Sequence, residues 1–186
     1  MALSREDWVR AALLAIAQGG TAAAAVEPLA ARLGATKGSF YWHFKDRGEL
    51  IGEALALWER ESTDRIIAEQ NEVEEPVERL RLTLKAAMED EADEDGAIDA
   101  ALLATAADPL VGETIRRVQR KRLAFLERCF RDMGLPPAEA RQRARIGYSV
   151  YLGWYRMRQA AGETGLGARE RAAYQRSAIA LLTAER

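Results

Sequence analysis

An all-α fold is predicted by three features of the chain. Its composition is rich in alanine, leucine, arginine and glutamate, no run alternates apolar and polar residues, and apolar residues recur at three- and four-residue spacing between glycine and proline stops. No stretch reads as a strand. At 186 residues the chain can hold a small helical domain joined to a larger one.

Ser4 followed by Asp7 is a helix N-cap with an acid at the third position, and Val9, Leu13 and Ile16 then repeat until Gly19-Gly20 stops the first helix. A second, short helix spans about Val26 to Leu33, with Pro28 tolerable in its first turn and Gly34 suited to the left-handed position after its end. The third is expected from near Thr36 to Phe44, and Asp46 with Glu49 caps a fourth running from about Arg47 to Asn71. Pro76 follows an acidic break, and a helix covers Val77 to Asp90. A charged loop from Glu91 to Gly96 leads to another helix through Ala107. Long helices then run from Asp108-Pro109 to Met133 and from Pro136-Pro137 to Ala161, and a last one from Arg169 to Thr183. The opening sequence of helix, short helix, glycine-containing turn and helix is the helix-turn-helix pattern.

Charge is unevenly spread. Residues 1–50 carry six Lys/Arg against five Asp/Glu, residues 51–99 five against sixteen, and residues 100–186 sixteen against eight. Bulk charge therefore does not announce a nucleic-acid binder, and any DNA affinity rests on local placement of Arg32, Lys37, Lys45 and Arg47. The N-terminus lacks a charged region followed by an apolar one, and no stretch is apolar over some 18 residues, so a soluble, cytoplasmic protein without membrane partners is expected. A single cysteine, Cys129, has no partner for a disulfide or a CxxC site, and the single histidine, His43, has no second ligand or nucleophile beside it. No cofactor, metal site or catalytic residue is expected, and the chain does not read as an enzyme. Glu91 to Gly96 imitates half of a calcium-binding loop, but its twelfth position is Leu102 instead of glutamate, and a solvated acidic loop is the expected reading.

The segment from Thr36 to Lys45 gathers aromatics, two lysines and the only histidine into less than three helical turns. At about 100° per residue Phe40 and Phe44 share one face while Lys37, Tyr41, Gly38 and Trp42 come round on others, a layout that suits a helix in the DNA major groove. From Ala35 through Lys37-Gly38-Ser39-Phe40-Tyr41-Trp42-His43-Phe44-Lys45 to Leu50, the sequence resembles the DNA-binding signature of the TetR family of transcriptional repressors. The resemblance implies that Thr36, Lys37, Gly38 and Ser39 approach base edges or phosphates, that Tyr41, Trp42 and His43 contact backbone or bases, and that Lys45 holds a phosphate. One departure stands out. Such proteins usually open the second helix with a Ser or Thr that caps it and bonds a phosphate, whereas Ala25 stands here.

The resemblance further implies a helix-turn-helix DNA-binding domain over residues 1–46 and a regulatory domain, binding ligand and dimerising, over residues 47–186. The expected partners are double-stranded DNA at a palindromic operator, a small-molecule effector and a second copy of the chain. In the helix opening at Pro136, Ile146, Val150, Trp154 and Met157 form one stripe and Tyr148, Tyr151, Leu152 and Tyr155 another, so the helix needs two buried neighbours. Tyr151 and Tyr155, with Tyr174, Ala178 and Leu181 of the last helix, are the expected dimer contacts. An apolar effector site is expected from Trp58, Met88, Leu103, Phe125, Cys129, Tyr148, Tyr151, Trp154 and Tyr155. The arginines and lysine at 116, 117, 120, 121 and 122 read as a solvated face paired with the acidic middle block. A helical adaptor that binds protein instead of DNA and a helical-bundle enzyme are the rival readings.

Overall fold

The computed structural model describes residues 3–88, 98–99, 101–103, 105, 107–161 and 167–184, and among them every regular element is helical. Two compact units divide the chain: Met1–Thr63 with Asp93–Val118, and Asp64–Ala92 with Gln119–Arg186.

In the first unit, α1 (Arg5–Ala23) opens on a complete capping box. The Ser4 hydroxyl accepts from the Asp7 amide, and the Asp7 carboxylate accepts from the Ser4 amide at 2.7 Å. The helix buries Trp8, Ala12 and Ile16 on one row and Leu13 and Ala15 beside it. Its path breaks where the two glycines foretold an end, with Gly20 at φ 69°, but one more turn, Thr21 to Ala23, resumes beyond them. α2 (Val26–Arg32) and α3 (Lys37–Tyr41) follow, joined through Gly34 at φ +63°. α4 (Arg47–Glu59) packs along α1 and supplies Leu50, Ile51, Ala54 and Leu55 to the same core.

The expected single helix from Arg47 to Asn71 is instead three pieces: α4, a π-helical turn over Arg60–Asp64, and α5 (Arg65–Asn71). The wider turn buries Thr63 and lets the Ser62 hydroxyl donate to the Trp58 carbonyl at 2.7 Å. Glu59 is buried at its start. Arg117 donates to both of its carboxylate oxygens, at 3.0 Å each through Nε and at 2.6 Å through Nη2. Two members of the basic run thus pair with acids of the middle block, since Lys121 also meets Asp64 at 2.6 Å, while Arg122 donates to the Tyr151 hydroxyl at 3.2 Å.

The second unit holds α6 (Pro76–Met88), whose Leu80, Leu84 and Met88 form a buried i, i+4, i+8 row, with the later part of α7 (Pro109–Asp132), α8 (Pro137–Ala161) and α9 (Ala168–Thr183). Its core joins that row to Leu126, Phe130, Ala140, Ala144, Tyr148, Tyr151, Trp154 and Leu182. Trp154 stacks on Tyr174 with centroids 5.1 Å apart, and Gly147 lets the Leu182 side chain come within 3.5 Å of where a Cβ would stand. Gly134, at φ +89°, ends α7 as expected. The acidic segment Glu91 to Gly96 lies outside the described residues.

Candidate nucleic-acid interface

Three aromatic rings fix α3 to its neighbours. Phe40 and Phe44, both fully buried, stack at 5.3 Å, and Trp8 meets Phe40 edge to face at 5.5 Å. The Arg5 guanidinium lies 4.3 Å above the Phe44 ring while hydrogen-bonding Glu49 and Glu53 of α4. A short helix of five residues is thereby held on a rigid base, although its own length would not sustain it.

Local bonds set its ends. The Thr36 hydroxyl accepts from the Ser39 amide at 3.2 Å, and the Ser39 hydroxyl donates to the Thr36 carbonyl at 2.9 Å. After Tyr41 the chain tightens, because the amides of His43 and Phe44 both turn onto the Phe40 carbonyl, at 2.9 and 3.0 Å. The helix therefore stops three residues short of the expected Phe44. That tightening folds Phe44 back onto Phe40 and leaves Asp46 in extended conformation to cap α4, where it accepts from the Glu49 amide at 2.9 Å. Glu49 returns the contact by accepting from the Lys45 amide at 2.7 Å, which holds its carboxyl below its ordinary range.

With Phe40 and Phe44 turned in, the remaining residues of the segment face outward. Thr36, Lys37, Gly38 and Lys45 are exposed, Ser39 and His43 half-buried, Tyr41 is 56% exposed and Trp42 88%. All eight expected DNA-contacting residues thus lie on one short stretch with their polar groups or rings accessible. The four basic residues grouped there by sequence have different fates. Arg47 turns inward, donating from Nε to the Ala24 carbonyl at 3.1 Å and from Nη2 to that of Thr21, so it clamps the turn after the glycine break. Arg32 donates to Gln18, and Lys37 donates to Glu27 at 2.8 Å.

At the start of α2, Ala25 makes no side-chain cap, as its identity requires, and Thr21 does not replace it: its hydroxyl donates to Asp108. Neither the Lys37–Glu27 pair nor the Thr21–Asp108 bond was legible in the sequence. A pairing partner ten or eighty-seven positions away leaves no periodic trace.

The residues expected around an effector fall in both units. Trp58 is buried in the first, its indole N–H donating to the buried Asp99 carboxylate at 2.6 Å, and Leu103 is half-buried against that unit's core. In the second, Met88, Tyr148, Tyr151 and Trp154 share one core and Phe125 and Cys129 are buried. The Trp154 indole N–H is fully buried and finds no acceptor among the described residues. The side chain of Tyr155 lies outside the described residues. Of the expected dimer contacts, Tyr151 and Ala178 are buried within their own chain, Tyr174 is half-buried on Trp154, and Leu181 is 79% exposed. Ala178 and Leu182, four apart, point into the core, so Leu181 falls outside it. Among the described residues no group of three or more His, Cys, Asp and Glu could hold a metal ion, and no helix is long and apolar enough to cross a membrane.

A capped helix with an exposed polar and aromatic row, held by an aromatic core behind a short helix and a glycine turn, is a helix-turn-helix, the arrangement that DNA-binding proteins lay in the major groove. Residues 9–54 match the family model described as bacterial regulatory proteins, tetR family. The fold agrees over nearly the whole chain. A transcriptional regulator from Rhodococcus sp. Rha1 is 24% identical, with 97% of this chain and 94% of that one aligned at a TM-score of 0.71. A TetR-family regulator from Agrobacterium tumefaciens is 20% identical, with 97% of each chain covered at 0.78. AibR, solved in complex with isovaleryl coenzyme A and operator DNA, is 17% identical, covering 95% and 96% at 0.72. No curated protein matches significantly. Residues 9–54 thus match the DNA-binding region of the TetR family, and the rest of the chain shares the fold of these regulators.

Proposed function

We propose that this regulator is a cytoplasmic, non-enzymatic repressor that binds a palindromic operator as a homodimer and releases it when a small, mostly apolar ligand occupies the regulatory part of the chain. Residues 1–46 meet DNA and residues 47–186 sense the ligand and dimerise. The observation that carries the reading is the accessibility of Thr36, Lys37, Ser39, Tyr41, Trp42, His43 and Lys45 on one rigidly based segment. Phosphate and base contacts both require donors that the protein's own core does not consume.

A second copy is supported by an apolar row left open on α8. Ile146 is 55% exposed and Met157 48%, Val150 lies between them, and a Cβ at Gly153 would meet nothing within 4 Å. These four positions are spaced 4, 3 and 4 apart and share one face. With Leu181 they form the surface that a twofold partner covers, and they replace Tyr151 and Ala178 in that role. Two copies place two recognition helices about 34 Å apart, or a near multiple, on one side of the duplex.

For the effector, Trp154 supports the second unit. A buried N–H without an acceptor is a standing cost, and a ligand carbonyl presented among Met88, Tyr148 and Tyr151 removes it. The operator and acyl-coenzyme A ligand named for AibR support the same pairing of partners. Ligand preference for the DNA-released state supplies about 1.4 kcal/mol for each tenfold loss of operator affinity.

Gel-shift titration against the intergenic DNA beside the protein's own gene tests the reading. Sequence-specific binding is expected, weakened at least tenfold by Lys37→Ala or Tyr41→Ala. Specific binding that survives both substitutions would remove α3 from the interface.

A further inference from the structure

We propose that Glu27 sets the operator affinity of this regulator by occupying Lys37, so that the ammonium at the head of the recognition helix is matched by a carboxylate in the absence of DNA and adds almost no net positive charge on binding. The inference rests on α3 being the DNA-facing helix and concerns which side chain limits the strength of that contact.

Lys37 is the first residue of α3 and Glu27 lies in the first turn of α2. Their Nζ and Oε1 atoms meet at 2.8 Å with both side chains more than half exposed. Each group holds the other in its charged form. An exposed pair of this kind contributes little to folding. Its effect on a polyanion is larger. Residues 1–50 carry a margin of one positive charge, and of the cations grouped with Lys37, Arg47 is committed to the carbonyls of Thr21 and Ala24 and Arg32 donates to Gln18, which leaves Lys45 exposed beside it. For Lys37 to reach a phosphate or a guanine edge it must leave Glu27, and the carboxylate then faces the duplex alone. Replacing that carboxylate by the isosteric amide removes both penalties while leaving the packing of α2 unchanged.

The test is fluorescence anisotropy of the intact protein on labelled intergenic DNA and on a duplex of unrelated sequence, across a salt series. The wild type, E27Q, K37A and the double variant are compared, with thermal unfolding as a control. E27Q is expected to bind both duplexes about three- to tenfold more tightly at low salt, with a log–log salt slope steeper by about 0.9 for each protomer bound. The double variant is expected to lose most of that gain. A Glu27 that served only the helix would move the unfolding midpoint and leave the slope alone, which would overturn the proposal. So would an E27Q protein that loses affinity for the intergenic duplex only, because Glu27 would then be reading a base. Wild-type protein that binds neither duplex would overturn the DNA-binding reading itself, whereas normal binding with an unchanged E27Q slope overturns only the role of Glu27.

Discussion

Phe40 shows at the scale of one residue how the site depends on the core. Its ring touches Trp8, Tyr41 and Phe44 and is fully buried, so Phe40→Ala should destabilise the first unit by about 3–5 kcal/mol and lower its denaturant midpoint. DNA binding should be lost with it at temperatures where the wild type still binds. Cys129 is the opposite case, a residue whose chemistry the fold suppresses. Burial pushes its thiol up to about 11, so the folded protein should react with a thiol reagent orders of magnitude more slowly than the denatured chain. Rapid labelling under native conditions would contradict the buried placement. Trp8 carries a buried indole N–H without an acceptor among the described residues, and nothing in the structure explains it.

The elements were legible in the sequence to the extent that their signals were local. Ser4 with Asp7, Thr36, Asp46 with Glu49, and the glycines at 34 and 134 are each read within four residues, and each does in the structure what its chemistry requires. Two features escaped because apolar spacing does not say which carbonyl each amide will take. α3 stops at Tyr41, where the amides of His43 and Phe44 both take the Phe40 carbonyl. The fourth helix widens into a π turn at Arg60, inside the seven polar residues, Glu59 to Arg65, that separate Trp58 from Ile66. Capping predicts measurable changes here. Ala25→Ser should add the missing cap of α2 and raise the stability of the first unit by about 0.5–2 kcal/mol, seen as a higher melting midpoint. Asp7 offers a test by pH. The Ser4 amide, and then its hydroxyl, hold the Asp7 carboxyl below its ordinary value of 3.8. Its contribution is complete above that pH and is lost as acid titration passes through the lower folded-state value. Asp7→Asn should therefore flatten the acid limb of a plot of melting temperature against pH.

For the molecule as a whole, the helical class and the helix-turn-helix near its start were readable from one chain. The surfaces of the second unit were not. Tyr174, Ala178 and Leu181 fit one helical repeat, yet packing splits them: Ala178 goes inward with Leu182, and Leu181 goes outward. A repeat of three and four does not say which of two adjacent rows meets the core. The effector set suffers likewise, because buried aromatics serve core and pocket with the same composition. The dimer reading is open to direct measurement. Leu181→Glu, an exposed change that costs the monomer little, should shift the sedimentation coefficient towards that of a single chain and reduce operator affinity at least tenfold.

The first compact unit takes residues 93–118 together with residues 1–63, and that has a practical sequel for protein engineers. A chimera that grafts this DNA reader onto a foreign sensor by splicing between Asp46 and Arg47 would discard Leu50, Ile51 and Ala54, against which α1 rests, and with Arg47 the clamp on Thr21 and Ala24. The transplanted piece would carry every side chain proposed to meet the operator and lack the wall that holds them in place.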